Sequence, residues 1–147
     1  MANKSKAIGT RGESAVVKYL AANGFGLAER RALHGGRDMG DILVCPGLIV
    51  EVKCGKDAYK FQKSLLEQWQ EQTRVERWNA DAEVALLVVQ RYRKPPKDWW
   101  TWMIPAPTVG GHVLEQCWAP LWAAVNVLRL DGWGDPVDIS GKDEGNG

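Results

Sequence analysis

The chain has 147 residues, a length that suits one domain with a substantial core, and its apolar (45%) and charged (25%) fractions are ordinary for a globular protein. No apolar run is long enough to span a bilayer and the N-terminus lacks a signal-peptide core, so the expected compartment is the cytoplasm; three cysteines (Cys45, Cys54, Cys117) without CxxC spacing argue against a disulfide framework or a zinc site. Net charge is only +1, but from Asp131 onward five acids face one base, which leaves 18 bases against 13 acids over residues 1–130. Residues 1–130 are expected to form a single domain, and the acidic, glycine-rich residues 131–147 to be disordered.

Residues 1–9 read as a flexible basic arm. Thr10 can cap a helix that runs to about Asn23, with Gly24 as its stop. Val16, Val17 and Leu20 form its apolar stripe, and Glu13 lies three, four and seven residues before them, on the same face. A carboxylate there is either a dipole partner of the helix N-terminus or a group reaching toward a site. Phe25 to Leu33 reads as a strand interrupted by Arg30-Arg31, and His34 to Met39 as a polar loop.

Gly40 to Lys53 is the most informative stretch. Two short apolar runs flank Pro46-Gly47, a hairpin signal. Strand side chains alternate faces, so Glu51 and Lys53 point one way and Leu48, Val50 and Val52 the other. Charges inside a strand call for a partner or a metal. Asp41, Glu51 and Lys53 converging on one hairpin can bind a divalent cation and hold a water beside it. Asp38 competes with Asp41 but lies outside the Gly-Asp-apolar context and ranks below it.

Cys54 to Tyr59 reads as a loop, and Tyr59 to about Trp78 as a long helix with Phe61, Leu65, Leu66, Trp69 and Thr73 on its apolar face. Its glutamines Gln68, Gln70 and Gln72 offer no basis for choosing one as a site residue. Glu83 to Gln90 is a continuous apolar run, which predicts a central strand buried on both faces. After a basic turn, Trp99 to Ile104 predicts a strand returning beside it, ended by Pro105 and Pro107. Trp118 to Leu130 has helical spacing, with Pro120 in its first turn, and predicts a helix covering the sheet or a partner. The fold class expected is α/β, a central mixed sheet flanked by helices.

Asp41 with Glu51-Val52-Lys53 resembles the PD-(D/E)XK nuclease superfamily, with Gly40 in place of its proline. The order helix, strand, Gly-Asp hairpin, Glu-x-Lys, helix, strand is similar to the archaeal Holliday junction resolvases and their phage relatives, over roughly residues 8–92. The resemblance implies a restriction-endonuclease-like fold. It also implies Mg²⁺, with Mn²⁺ as substitute, held by Asp41, Glu51, the Val52 carbonyl and Glu13, with Lys53 acting on the attacking water. Glu13, Asp41, Glu51 and Lys53 are then the catalytic set, and Arg11, Arg37, Lys56 and Lys60 candidate contacts to the DNA backbone.

The implied activity is a metal-dependent endodeoxyribonuclease resolving four-way junctions. Alternatives are a nicking or restriction-type nuclease of the same fold, or a catalytically idle DNA- or protein-binding module. Paired cuts in a junction call for two sites, and eight tryptophans are many for one small core. A homodimer is therefore expected, with Trp99–Ile104 or Trp118–Leu130 at or beside the contact.

Overall fold

A computed structural model describes residues 2–31, 38–109, 112–113 and 117–137. In chain order they form α1 (Ala2–Ala22), β1 (Glu29–Arg30), β2 (Ile42–Cys45), β3 (Leu48–Lys53), α2 (Lys56–Lys60), α3 (Lys63–Asn79), β4 (Val84–Val89), β5 (Trp100–Ile104), β6 (Thr108–Val109), β7 (His112–Val113), β8 (Ala119–Pro120) and α4 (Leu121–Leu130). Six strands make one open mixed sheet in the order β1-β2-β3-β4-β5-β8, and β6 pairs with β7 alone. The β3–β4 pair is parallel, because α2 and α3 carry the chain back across the sheet; β1–β2, β2–β3, β4–β5 and β5–β8 are antiparallel. Among the described residues, no helix is long and apolar enough to cross a membrane.

Alternation along the strands builds two cores. Leu48, Val50 and Val52 of β3, with Leu86 and Val88 of β4, face Val16 and Leu20 of α1 and Leu121, Val125 and Leu128 of α4. On the other face Leu87, Val89 and Trp102 meet Ala58 of α2 and Leu66 of α3. The β2–β3 hairpin turns at Pro46-Gly47, where Gly47 adopts φ +86. Its register pairs Ile42 with Val50 and Leu43 with Ile49, which sends Glu51 and Lys53 to the α3 face as alternation requires. β4 is buried on both faces, as its unbroken apolar run predicts.

Several boundaries differ from the sequence expectation. The basic arm is helical: α1 begins at Ala2, and Thr10, expected as a cap, lies inside it with its hydroxyl accepting from Arg30 Nη2 at 3.5 Å. The stop at Gly24 (φ +100) is as expected. Of the strand expected over Phe25–Leu33, only β1 is strand among the described residues; Phe25 is instead a buried core residue in the turn, and residues 32–37, with His34 and Arg37, lie outside the described residues. Part of the loop expected over Cys54–Tyr59 is α2. Phe61, with φ 48, separates it from α3, which therefore starts at Lys63. Pro120 ends β8 and caps α4, so Trp118 precedes the helix and packs with Phe61 on the opposite core.

The disorder expected from residue 131 does not extend over 131–137. Asp135 N donates to Gly24 O (2.7 Å), Asp135 Oδ2 accepts from Gly26 N (2.9 Å), and Arg129 Nη1 donates to the carbonyls of Trp133 and Asp135. Trp133 packs on the first core. Residues 138–147 lie outside the described residues. The tryptophans expected at a dimer contact are largely spent inside the protein: Trp99 and Trp102 are buried, Trp69, Trp100, Trp118 and Trp133 are partly buried against the two cores, and only Trp78 and Trp122 are exposed.

Gly12 sets how closely α1 approaches the sheet. It is buried, and a Cβ there would overlap Cys54 Sγ and lie 3.3 Å from Cys54 Cβ. Gly12→Ala is expected to destabilise the protein by about 1–3 kcal/mol through overpacking, read as a lower denaturation midpoint with an unchanged slope.

Candidate metal centre

The site is built where β3 leaves the shelter of β2. Gly40 adopts φ +93, and a Cβ would stand 3.3 Å from Ile49 Cδ1, so a side chain here is doubly disfavoured. This turn carries Asp41 past the end of the hairpin ladder. Asp41 N donates to Val50 O (3.0 Å), and Asp41 Oδ2 accepts from Val52 N (2.8 Å) in place of a neighbouring strand. Val52 buries its side chain in the first core. The N–H and C=O of one strand residue point to the same side, so the Val52 carbonyl also faces the Asp41 edge.

Glu51 is 4% exposed, and its Oε1 lies 3.3 Å from Lys53 Nζ. Lys53 is fixed from three directions: by Glu51, by a hydrogen bond from Nζ to Gln72 Oε1 at 2.8 Å, and by the Trp69 ring, whose centroid is 5.7 Å away. Gln72 Nε2 donates to Glu76 Oε1 (2.8 Å) and reaches Asp38 Oδ2 (3.5 Å). Asp38 is anchored by Gly40 N donating to its Oδ1 (3.1 Å) and Asn79 Nδ2 donating to its carbonyl (3.0 Å). Glu76 is 1% exposed. One oxygen each from Asp38, Glu51 and Glu76 lies within 4.8 Å of the others.

Two carboxylate oxygens in this group, Glu51 Oε2 and Glu76 Oε2, are buried with no hydrogen-bond partner. Such atoms are costly, and a cation is the natural partner for a pair of them. Burial, and then their closeness to one another, pushes the acids up: Asp41 to about 8, with Glu51 next after burial; Glu51 to about 9, with Glu76 next; and Glu76, chiefly by burial, to about 7. Without a cation the cluster therefore holds protons near neutrality. Burial, then Glu13 and Asp41, pushes the Cys54 thiol up to about 12, so without a cation it is held as the neutral thiol. The donors available are hard oxygens, the set that suits Mg²⁺ or Mn²⁺.

No protein-family model, curated protein or solved structure gives a significant match to this chain. The site therefore rests on its own geometry. Of the ligands expected from sequence, Glu51 stands in the cluster and Asp41 adjoins it through Val52. Glu13 does not join Asp38, Glu51 and Glu76; its Oε2 accepts from Arg30 Nε at 2.9 Å. Arg11 on α1, and Lys56 and Lys60 on α2, are exposed, and Arg37 lies outside the described residues. Asp38, ranked below Asp41, is the acid brought within reach of Glu51, because Asn79 at the end of α3 and Gly40 N hold it there. Glu76 was missed altogether. Its signal was helical spacing: it falls three residues after Thr73 and seven after Trp69, on the buried stripe of α3, the same argument that singled out Glu13 on α1.

Glu13→Gln is accordingly expected to cost about 0.2–1 kcal/mol or less of stability, since Arg30 is substantially solvated. It should leave divalent-ion affinity nearly unchanged, and calorimetric titration with Mn²⁺ compares it directly with wild type.

Proposed function

We propose that this protein is a divalent-metal-dependent nuclease that hydrolyses phosphodiester bonds in DNA. The observation that carries this reading is the pair of buried, unpartnered oxygens of Glu51 and Glu76, beside a lysine immobilised within 3.3 Å of one of those acids. Asp38, Glu51 and Glu76 would hold the ion, with Asp41 and the Val52 carbonyl at its margin. When bound, Mg²⁺ or Mn²⁺ supplies Lewis-acid polarisation of the phosphate and a more acidic water.

Each side chain then has a task. Lys53 Nζ donates toward the phosphoryl oxygens or the attacking water, offsetting charge as it develops. Gln72 and Trp69 hold that ammonium in place, so little ordering is needed at the moment of reaction. Asp41 keeps the β3 edge straight at Val52, which fixes Glu51 and Lys53 relative to one another. Lys56 and Lys60, exposed on α2 after the lysine-bearing strand, are positioned to meet the phosphate backbone, and Arg11 extends the basic surface along α1.

The finer reading is a restriction-endonuclease-like fold of the PD-(D/E)XK kind, with Asp41 and Glu51-Val52-Lys53 as its motif. The run of one helix, three antiparallel strands, a helical crossover and a parallel strand supports it. Junction resolution by a homodimer is its most specific form. A cleavage panel of four-way junction, Y-fork, linear duplex and single strand, with and without Mg²⁺, tests the whole reading. Metal-dependent cutting of any of these supports a nuclease, and paired symmetric cuts in the junction support a resolvase. Full activity in excess chelator, or no cutting of any DNA, would overturn the metal-nuclease reading.

A further inference from the structure

Two strands away from Lys53 the same sheet face carries a second built feature. Lys53 pairs across to Val89, and Val89 to Trp100, so Trp100 stands about 10 Å from Lys53 along the sheet. Arg91 stacks over the Trp100 ring at 4.5 Å and is held there by Nη1 donating to Asp98 O at 3.1 Å. Beside them a cavity of about 150 Å³ opens between α2 and the turn after β4, lined in part by Tyr59, Phe61, Arg91, Tyr92, Lys94 and Trp100. That volume admits one aromatic ring.

The mouth of the cavity is aromatic and cationic. Tyr92 is 60% exposed and Tyr59 38%, with ring centroids 5.2 Å apart in an edge-on arrangement. Neither ring fills the core. Arg93 lies 5.1 Å from the Tyr92 ring. The two lips are held in a conformation that side chains rarely adopt: Phe61 has φ 48 and Arg93 φ 57. Gly55 N donating to Gln90 Oε1 at 3.0 Å ties α2 to the end of β4, so the lips are fixed to each other. Arg91 and Lys94 line the cavity, the segments that flank it also carry Lys56, Lys60 and Arg93, and the acids beside them are Asp57 on α2 and Asp98, against which Arg91 rests.

That charge pattern decides the occupant. A second copy of this face would bring like charges together, whereas a polyanion with flat apolar rings matches both features. Bases inside a duplex are stacked on one another and unavailable to such a pocket, while an unpaired base can stack on the tyrosines. About 10 Å corresponds to roughly three base steps along one strand of B-form DNA. We propose that the Tyr59–Tyr92 pocket binds an unpaired nucleobase of the DNA strand whose phosphate sits at the acidic cluster. The enzyme then selects DNA with a single-stranded segment within a few nucleotides of the cut. This rests on the nuclease reading above.

The test is fluorescence anisotropy with the full chain in chelator, so that no strand is cut, using a labelled oligothymidylate and a labelled blunt duplex. Tyr92→Ala and Tyr59→Ala are each expected to weaken oligothymidylate binding roughly tenfold while duplex binding stays within about twofold, and Tyr92→Phe to keep wild-type affinity. In the unmutated protein, photocrosslinking from 5-iododeoxyuridine in the single strand should label the peptide containing Tyr92. Equal losses on both ligands, no loss on either, or no binding of oligothymidylate by the wild type would each overturn the pocket. The two proposals fail separately. Single-strand binding that depends on Tyr92 without metal-dependent cutting leaves the pocket and removes the nuclease. Cutting of flapped DNA that ignores Tyr92→Ala does the reverse.

Discussion

If the protein is the proposed nuclease, Lys53→Ala is expected to lower the cleavage rate by about 10²–10³-fold and to change DNA affinity little, the outcome for a donor aimed at charge that develops only in the transition state. The geometry makes the variant clean. Lys53 sits at the end of β3, partly exposed, and its ammonium is restrained by Glu51, Gln72 and Trp69 rather than by the core. Its removal leaves β3 paired to β4 and takes away one positive charge among several proposed to meet a DNA backbone. Gln72→Ala should show a smaller fall, because the ammonium remains but loses the hydrogen bond that aims it. Single-turnover rates with saturating enzyme, alongside binding in chelator, separate the two effects. A parallel fall in rate and affinity would make Lys53 a phosphate contact.

Glu51→Gln is the second large effect, and it acts in opposite directions on stability and function. The folded acids Asp41, Glu51 and Glu76, at about 8, 9 and 7, bind protons that the unfolded chain, titrating at ordinary values near 4, has already released. Their contribution to stability is therefore complete below about pH 4 and is lost progressively as pH rises from there through the folded values of about 7 to 9. The metal-free protein should melt progressively lower across that window. A divalent ion competes with those protons, so Mn²⁺ should raise the melting temperature little near pH 5.5 and by roughly 5–10 °C near pH 8.5 at a hundredfold excess over its dissociation constant. Glu51→Gln removes a carboxyl that must take up a proton to be buried, a cost that grows as pH rises above about 4. It should melt higher than wild type at about pH 8.5 without metal, show no Mn²⁺ shift, and cut no DNA. Thermal melts over pH, with and without Mn²⁺, give all three readings. A metal shift that is independent of pH and survives in Glu51→Gln would place the ion elsewhere.

The hairpin was legible from sequence because its two signals agree: a Pro-Gly turn, and charges spaced by two residues on strands of opposite facing. β4 and β5 were legible from an apolar run followed by alternating tryptophans. The misplaced pieces share a cause. Thr10 and Lys56 carry local signals for a cap and a loop, but packing against Val52, Cys54 and Val89 decides whether the chain there is helical. The two-residue β1 leaves no period to read. At the site, Glu51 and Lys53 follow from alternation alone. Glu76 follows from the buried stripe of α3, but Asp38 is brought in by contacts with Asn79 and Gln72, some forty residues away, and no spacing rule in a single sequence encodes those contacts. Gln72 is distinguished from Gln68 and Gln70 only by its long-range contact, accepting from Lys53 Nζ while donating to Glu76.

Both margins of the sheet end in two-residue strands, and one of them contains Pro120, which has no N–H to offer. Among the described residues, neither margin of this sheet offers a long, flat ladder onto which another chain could add a strand, which disfavours growth of the sheet from molecule to molecule, the route to fibrils. The same stunted margins limit how two copies can meet. The exposed Val75 and Trp78 of α3 offer an apolar surface through which two copies could meet while the six-stranded ladder stays within each molecule.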